Sequence, residues 1–338
     1  MEYYLRQMCL PEVGESGQRK LGKAKCLVVG AGGLGCSVLS YLAAAGVGTI
    51  GICDFDRVEM TNLHRQVLYT VEDIGEPKAE VAACKLSRAN PYVEFLSYPT
   101  KATVLLCQAY DLVLDCTDNF QTKFFLNDCA YLHQIPLIRA AIYRFEGQMQ
   151  FYLPKRDDAC LRCLWEEVPE EGCVGSCTEV GVLGPLPGFF GTLQAMEAIK
   201  FFLGMPLLSS LLLYDLVSHE QKKISLLKNP HCPLCGNNPS IHHAESSWEV
   251  HVREINLKEY ILVDIREQKE LQQQSLTNWE FQHIPLSTFD ENRICEQKPY
   301  LFFCQKGRRS YNLVHSLRKK GFENVFSLMG GIGQLENK

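Results

Sequence analysis

The apolar run Cys26-Leu-Val-Val29 leads straight into Gly30-Ala-Gly32-Gly33-Leu-Gly35, and residues 38–45 then recur with helical spacing. Glycines let the backbone turn sharply and approach a phosphate closely. A helix that starts there offers unpaired N–H groups to the anion. The spacing predicts a nucleotide site. It leaves open whether the nucleotide carries hydride or energy.

The surrounding pattern is that of a doubly wound α/β sheet. Strand-like runs at 26–29, 49–54, 111–116 and 136–141 alternate with helical patterns at 38–45, 78–89 and 121–132. Further strands, with antiparallel pairing open, are expected at 148–153, 211–216 and 223–227, with a helix at 191–203. Residues 236–247 are polar and turn-rich. Beyond them, the short apolar strands at 260–264 and 300–304 each precede a helical pattern. The expected division is therefore a nucleotide-binding domain over 1–236, a linker over 237–249 and a small α/β domain over 250–338.

Charge and cysteine usage narrow the class. The net charge is −5 with no long basic block, so no nucleic-acid partner is expected. Sixteen cysteines are too few for a disulfide scaffold of this length. Cys26, Cys36, Cys53, Cys84 and Cys116 fall in apolar patterns and read as small core residues. Others form Cys-x-x-Cys pairs, which suits a reducing compartment. The N-terminus lacks a basic stretch followed by an apolar run, and the apolar tract 201–214 is broken by Gly204 and Pro206. No signal peptide or membrane span is expected, and a cytoplasmic location is.

Asp54 ends the second strand, where an acid binds ribose hydroxyls. A dehydrogenase could share that feature. Arg65 and Lys78 add two cations beyond it, and extra fixed cations suit a triphosphate that must lose pyrophosphate. By composition alone, an ordinary surface residue is the better reading of either.

The tract Gly30-Ala-Gly-Gly-Leu-Gly35 … Asp54-Phe-Asp-x-Val-x-x-x-Asn62-Leu-x-Arg-Gln66 … Gly75-x-Pro-Lys78 resembles the ThiF/MoeB/HesA adenylyltransferases, which are related to ubiquitin-activating enzymes. Leu112-Val-Leu-Asp-Cys-Thr-Asp118-Asn119, Glu146-Gly-Gln148 and Gln194-Ala-Met-Glu-Ala-Ile-Lys200 extend the resemblance over residues 4–236. It implies a Rossmann-like ATP-binding domain with a mixed sheet. Gly30, Gly32, Gly33 and Gly35 would form the nucleotide loop. Asp54 would hold the ribose, and Asn62, Arg65 and Gln66 would contact the phosphates. Lys78 would neutralise the triphosphate. Asp118, beside Asn119, would hold Mg²⁺. Arg6 matches an arginine that reaches the partner subunit's ATP, which implies a homodimer. Lys123 stands where the family usually has arginine.

Cys160-Leu-Arg-Cys163 and Cys232-Pro-Leu-Cys235 can supply a tetrahedral zinc site. A redox dithiol and isolated thiols are the alternatives. The resemblance implies a structural zinc on these four. The glycine-rich segment 170–185 carries Cys173 and Cys177 and reads as a flexible loop. Cys177 aligns with the family's crossover-loop cysteine, a thiol that takes part in sulfur chemistry in some members. Phe303-Cys304-Gln-Lys-Gly307-Arg308-Arg309-Ser310 follows a strand and opens a helix. Such a turn forms an anion nest whose N–H groups and arginines would activate Cys304. With Leu262-Val-Asp264-Ile-Arg266-Glu267, His283-Ile-Pro285 and Gly330-Gly331-Ile, it resembles a rhodanese. The usual tryptophan after Gly-Gly-Ile is missing.

Together the resemblances imply a nucleotidyltransferase. It would adenylate the C-terminal carboxylate, expected on a Gly-Gly tail, of a small ubiquitin-like sulfur-carrier protein. Arg65, Lys78 and Asp118 would serve that step, with ATP, Mg²⁺ and Zn²⁺ as cofactors. Sulfur from thiosulfate or a cysteine desulfurase would pass through Cys304, with Cys177 assisting. The alternatives are a non-catalytic carrier-binding scaffold and an NAD-dependent dehydrogenase.

Overall fold

The computed structural model describes residues 2–168, 181–242, 244, 249–250, 252, 257–273, 280–294, 298–322 and 324–336. The chain divides into two compact units, Met1–Ala244 and Glu245–Lys338.

In the first unit, helices α1 (Leu5–Met8) and α2 (Gly14–Leu21) precede strand β1 (Lys25–Val29) and helix α3 (Gly33–Ala45). Then come β2 (Thr49–Cys53), α4 (Lys78–Ala89), β3 (Glu94–Tyr98), α5 (Val104–Gln108), β4 (Leu112–Asp115) and α6 (Phe120–His133). They are followed by β5 (Leu137–Tyr143), β6 (Glu146–Tyr152), α7 (Pro185–Leu203), β7 (Leu211–Asp215) and β8 (Gln221–Ile224). The eight strands form one sheet in the order β3-β2-β1-β4-β5-β6-β7-β8. Strands β3 to β5 run parallel, and β6 to β8 are added antiparallel through the β5–β6 hairpin. β1 lies between β2 and β4 and is buried on both faces, hence its unbroken apolar run.

Two cores flank this sheet. One packs α3, α4 and α7 against Val28, Ile52, Leu114 and Phe151. The other packs α5, α6 and the paired cysteines against Leu27, Val113, Leu137 and Tyr152. The cysteine pairs therefore share a face of the sheet with α6.

Several boundaries depart from the sequence expectation. α3 begins at Gly33 rather than 38, because packing against α7 overrides the poor helix propensity of Gly33 and Gly35. α7 begins at Pro185, where a missing N–H costs no helical bond. β3 was not expected. It is an edge strand with an irregular burial pattern, so its sequence carries little alternation. Cys84 is exposed, unlike the buried Cys26, Cys36, Cys53 and Cys116, because the buried stripe of α4 is Lys78, Ala79, Ala82 and Leu86. Burial pushes the Cys36 and Cys53 thiols up to about 12. Within the stretch read as linker, Ser240 and Ile241 donate to the Pro233 carbonyl, and Ile241 and Ala244 pack on the cysteine-side core. Among the described residues, no helix is long and apolar enough to cross a membrane.

The second unit is a five-stranded parallel sheet in the order β11-β10-β12-β13-β9. Its strands are β9 (Glu249–Val250), β10 (Ile261–Asp264), β11 (Gln282–His283), β12 (Tyr300–Phe303) and β13 (Val325–Leu328). Helices α8 (Gln268–Gln273), α9 (Arg308–Lys319) and α10 (Gly333–Glu336) accompany it, with apolar cores on both faces.

Candidate functional site

The turn after β1 requires glycine at two positions. Gly30 has φ +93°, and a Cβ there would stand 2.7 Å from the Cys116 carbonyl oxygen. A Cβ on Gly35 would stand 2.0 Å from the Gly30 oxygen. Gly32 caps α3 with no side-chain hydrogen bond.

Asp54, at the end of β2, is fastened to this turn. Its Oδ2 accepts from the Ala31 N–H at 2.7 Å and its Oδ1 from the Asp56 N–H at 2.8 Å. Burial raises its pKa, and the nearby Lys78 opposes that rise. Lys78 opens α4, is 5% exposed, and donates to Asp56 Oδ2 at 3.0 Å. The Tyr69 hydroxyl donates to the Ala31 carbonyl at 2.8 Å and joins this segment to the glycine turn.

Arg65 donates to Asn62 Oδ1 at 2.7 Å, so amide and guanidinium are already paired. The Gly33 Cβ position lies 3.6 Å from the Arg65 carbonyl oxygen. Gln66 is buried with Nε2 3.6 Å from the Gly32 Cβ position, and its Oε1 has no hydrogen-bond partner. A buried amide left unsatisfied beside a phosphate-type turn fits a polar ligand that completes it.

The end of β4 supplies the opposite wall. Asp115 is fully buried; its Oδ1 accepts from the Thr117 N–H and hydroxyl, and its Oδ2 from Lys123 Nζ at 3.1 Å. Lys123 also donates to the Ala140 carbonyl at 2.7 Å. The lysine that replaces the family's arginine thus ties β4 to β5. Asp118 is exposed, and Asn119 Oδ1 caps α6 by accepting from the Thr122 N–H at 2.8 Å. Arg6 is exposed on α1 and shares in none of these contacts. The structure therefore groups the four loop glycines with Asp54, Asn62, Arg65, Gln66 and Lys78, but not Arg6. Cys173 and Cys177 lie outside the described residues.

The two Cys-x-x-Cys pairs converge. Cys160 Sγ lies 3.9 Å from Cys163, 3.6 Å from Cys232 and 3.5 Å from Cys235, and Cys163 lies 3.4 Å from Cys235. A Zn–S bond of about 2.3 Å gives a tetrahedron with edges of about 3.8 Å, so the donor set fits zinc. The N–H groups of Asn229 and Cys235 donate to the Cys163 and Cys232 sulfurs at 3.4 Å, which supports thiolates. The first knuckle is docked on α6. Arg162 grips Asp128 through Nε (2.8 Å) and Nη2 (2.7 Å), and its guanidinium lies 4.9 Å from the Phe124 ring centroid.

In the second unit, Cys304 directly follows β12 and is 1% exposed. The Ser310 hydroxyl lies 3.8 Å from its sulfur, and Gly307, at φ +86°, turns the chain into α9. Arg309 forms a bidentate pair with Glu270 at 2.8 and 2.5 Å. That pair holds the Glu270 carboxyl down at about 2. Because the folded value is depressed, the stabilisation is present above the ordinary carboxylate range and is lost as pH falls toward about 2. The stability gap between the protein and Glu270→Gln should therefore shrink between about pH 5 and about pH 3. A constant gap in urea titrations would contradict this.

Sequence patterns alone do not single out Tyr69, Asp115, Asp128, Arg162 or Glu270. The pair Asn127-Asp128 inside an apolar helix was the available signal, since a buried polar pair needs partners.

Residues 4–234 match the ThiF family model, and residues 247–338 match the Rhodanese-like domain model. The chain is 48% identical over 250 residues to a sulfur carrier protein adenylyltransferase of Thermus thermophilus, covering 71% of this chain and 92% of that protein. It is 35% identical over 366 residues to the probable adenylyltransferase/sulfurtransferase MoeZ of Mycobacterium tuberculosis, covering 97% of this chain and 91% of that protein. With adenylyltransferase and sulfurtransferase MOCS3 of Caenorhabditis briggsae it shares 40% identity, over 70% of this chain and 61% of that one. The crystal structure of Escherichia coli MccB with ATP has a TM-score of 0.58 at 23% identity, covering 65% of this chain and 68% of that chain, a likeness of fold.

Proposed function

Since the chain belongs to the ThiF family and ends in a rhodanese-like domain, we propose that it adenylates the C-terminal carboxylate of a small sulfur-carrier protein and then delivers sulfur to it. The observation that carries this reading is the glycine turn itself, which Asp54 and Tyr69 fasten to the segment of the buried Lys78.

In the first step, the carrier carboxylate attacks the ATP α-phosphorus and pyrophosphate leaves. Asp54 orients the ribose, and the first turn of α3 receives phosphate oxygens. Asn62, Arg65 and Gln66 hold the phosphates in line. Lys78 meets the charge that grows on the leaving pyrophosphate. Asp118 would hold Mg²⁺, whose role is to neutralise phosphate oxygens. Arg6 serves the partner subunit of a homodimer. The zinc on Cys160, Cys163, Cys232 and Cys235 is structural, because four thiolates leave no open position.

In the second step, a persulfide on Cys304, loaded from thiosulfate or a cysteine desulfurase, attacks the carrier acyl carbon and AMP leaves. Attack by a second thiol, for which Cys177 is the candidate, on the Cys304 sulfur of the resulting acyl disulfide releases the thiocarboxylate and leaves a protein disulfide, which an external dithiol reduces before the next cycle. The reading places the protein in the cytoplasm.

The test is carrier-dependent ATP–pyrophosphate exchange together with thiocarboxylate formation. Cys304→Ala is expected to keep exchange and lose thiocarboxylate. Loss of both activities would overturn the division of labour, and no exchange with any carrier would overturn the adenylation step.

A further inference from the structure

Arg139, on β5, is 7% exposed, and burial pulls its guanidinium down to about 10. A cation at that depth needs a counter-charge. Its hydrogen-bond partners are two neutral amides, Asn127 Oδ1 at 3.2 Å and Gln150 Oε1. Asp115 is its register neighbour on β4, but the Asp115 oxygens are taken by Thr117 and Lys123.

The two amides lead to one place. Asn127 Oδ1 also accepts from the Leu161 N–H at 2.6 Å, and Gln150 Nε2 donates to the Ala159 carbonyl at 3.0 Å. Ala159 and Leu161 are the residues on either side of Cys160. Asn127 and Gln150 thus grip the backbone around one thiol of the four, and Arg139 donates to that same Asn127 oxygen and to the Gln150 oxygen. Tyr152, whose side chain lies in the same core as Cys160, Cys232 and Cys235, has a buried hydroxyl with no partner.

We propose that Arg139 is the internal counter-cation of the four-cysteine metal centre and the positioning residue of its first knuckle. A divalent ion bound by four thiolates is a dianion, and dianion and guanidinium each supply the charge the other lacks on burial. Through Asn127 and Gln150, the same guanidinium holds the Cys160 backbone in register for the metal. The inference rests on the zinc reading of these cysteines.

The test uses the full-length chain. Metal content is measured by mass spectrometry, and zinc release is followed with a chromophoric chelator. Arg139→Met is expected to release zinc about 10–100-fold faster, the usual range for such outer partners. Arg139→Lys, which keeps the charge but not the fork, is expected to fall between. Asn127→Asp keeps the shape yet sets a rival carboxylate against the guanidinium, so it should also speed release; it serves if the methionine variant does not fold. In the cobalt-substituted protein, the thiolate-to-metal charge-transfer bands should shift in the same variants. Wild-type release rates in both Arg139→Lys and Asn127→Asp, with zinc bound, would overturn the inference alone. A wild-type chain purified without zinc would overturn the zinc reading and this inference with it.

Discussion

Lys78→Met is expected to lower carrier-dependent ATP–pyrophosphate exchange by about 10²–10³-fold, the range for removing one group that meets developing charge. The same change should alter thermal stability little, because loss of a buried ammonium offsets loss of the cation beside Asp54. Lys78 sits in the first turn of α4, the positive end of the helix dipole, and is almost fully buried. Its ion pair is with Asp56, whose side chain is 54% exposed, so the pair contributes little. A buried ammonium in that place is unfavourable for the free protein and favourable once a polyanion arrives. Methionine has similar volume and removes the conflict. Without Lys78, Asp54 also loses the cation that counters its upward shift, so its pKa should rise further. Exchange within threefold of wild type, or a large stability loss, would show that Lys78 is structural.

The second large effect is expected at the metal centre. On the zinc reading proposed above, chelation of the metal, or Cys232→Ser, should destabilise the first unit by at least the about 4–5 kcal/mol that marks loss of a metal or core network. For a unit of this size that is about 8–20 °C in the calorimetric midpoint. The four sulfurs lie in the same core as Tyr152 and Leu234, so their loss opens buried surface. The knuckle also keeps Arg162 on Asp128, and a knuckle set free would leave Asp128 buried without its cation. A midpoint within 3 °C of the holoprotein, about 1 kcal/mol, would mean that the protein packing alone holds this segment.

Much of the architecture is legible from local chemistry. The glycine turn, the apolar β1 and the paired cysteines each follow from a short-range rule that burial then satisfies. What escapes a sequence reading is set by long-range partners. Nothing near Glu94 signals an edge strand, because its pairing with Thr49 comes from the far side of α4. Lys123 reads only as a departure from the usual arginine until Asp115 and the Ala140 carbonyl are found on its ammonium. Arg162 reads as the spacer of a cysteine pair until Asp128 appears across 34 residues. Gln66 is the reverse case. Its place in the motif was legible, but its burial against Gly32 is displayed only in three dimensions.

The buried thiols have a chemical meaning apart from packing. A protein that carries sulfane sulfur must keep it from migrating to its own cysteines. Thiols held at about 12 are thiolate in about one part in 10⁵ at neutral pH, so Cys36 and Cys53 are very poor acceptors. Four more sulfurs would be occupied by metal. Burial of Cys36 and Cys53 therefore removes two thiols that could otherwise intercept a transferable sulfur atom.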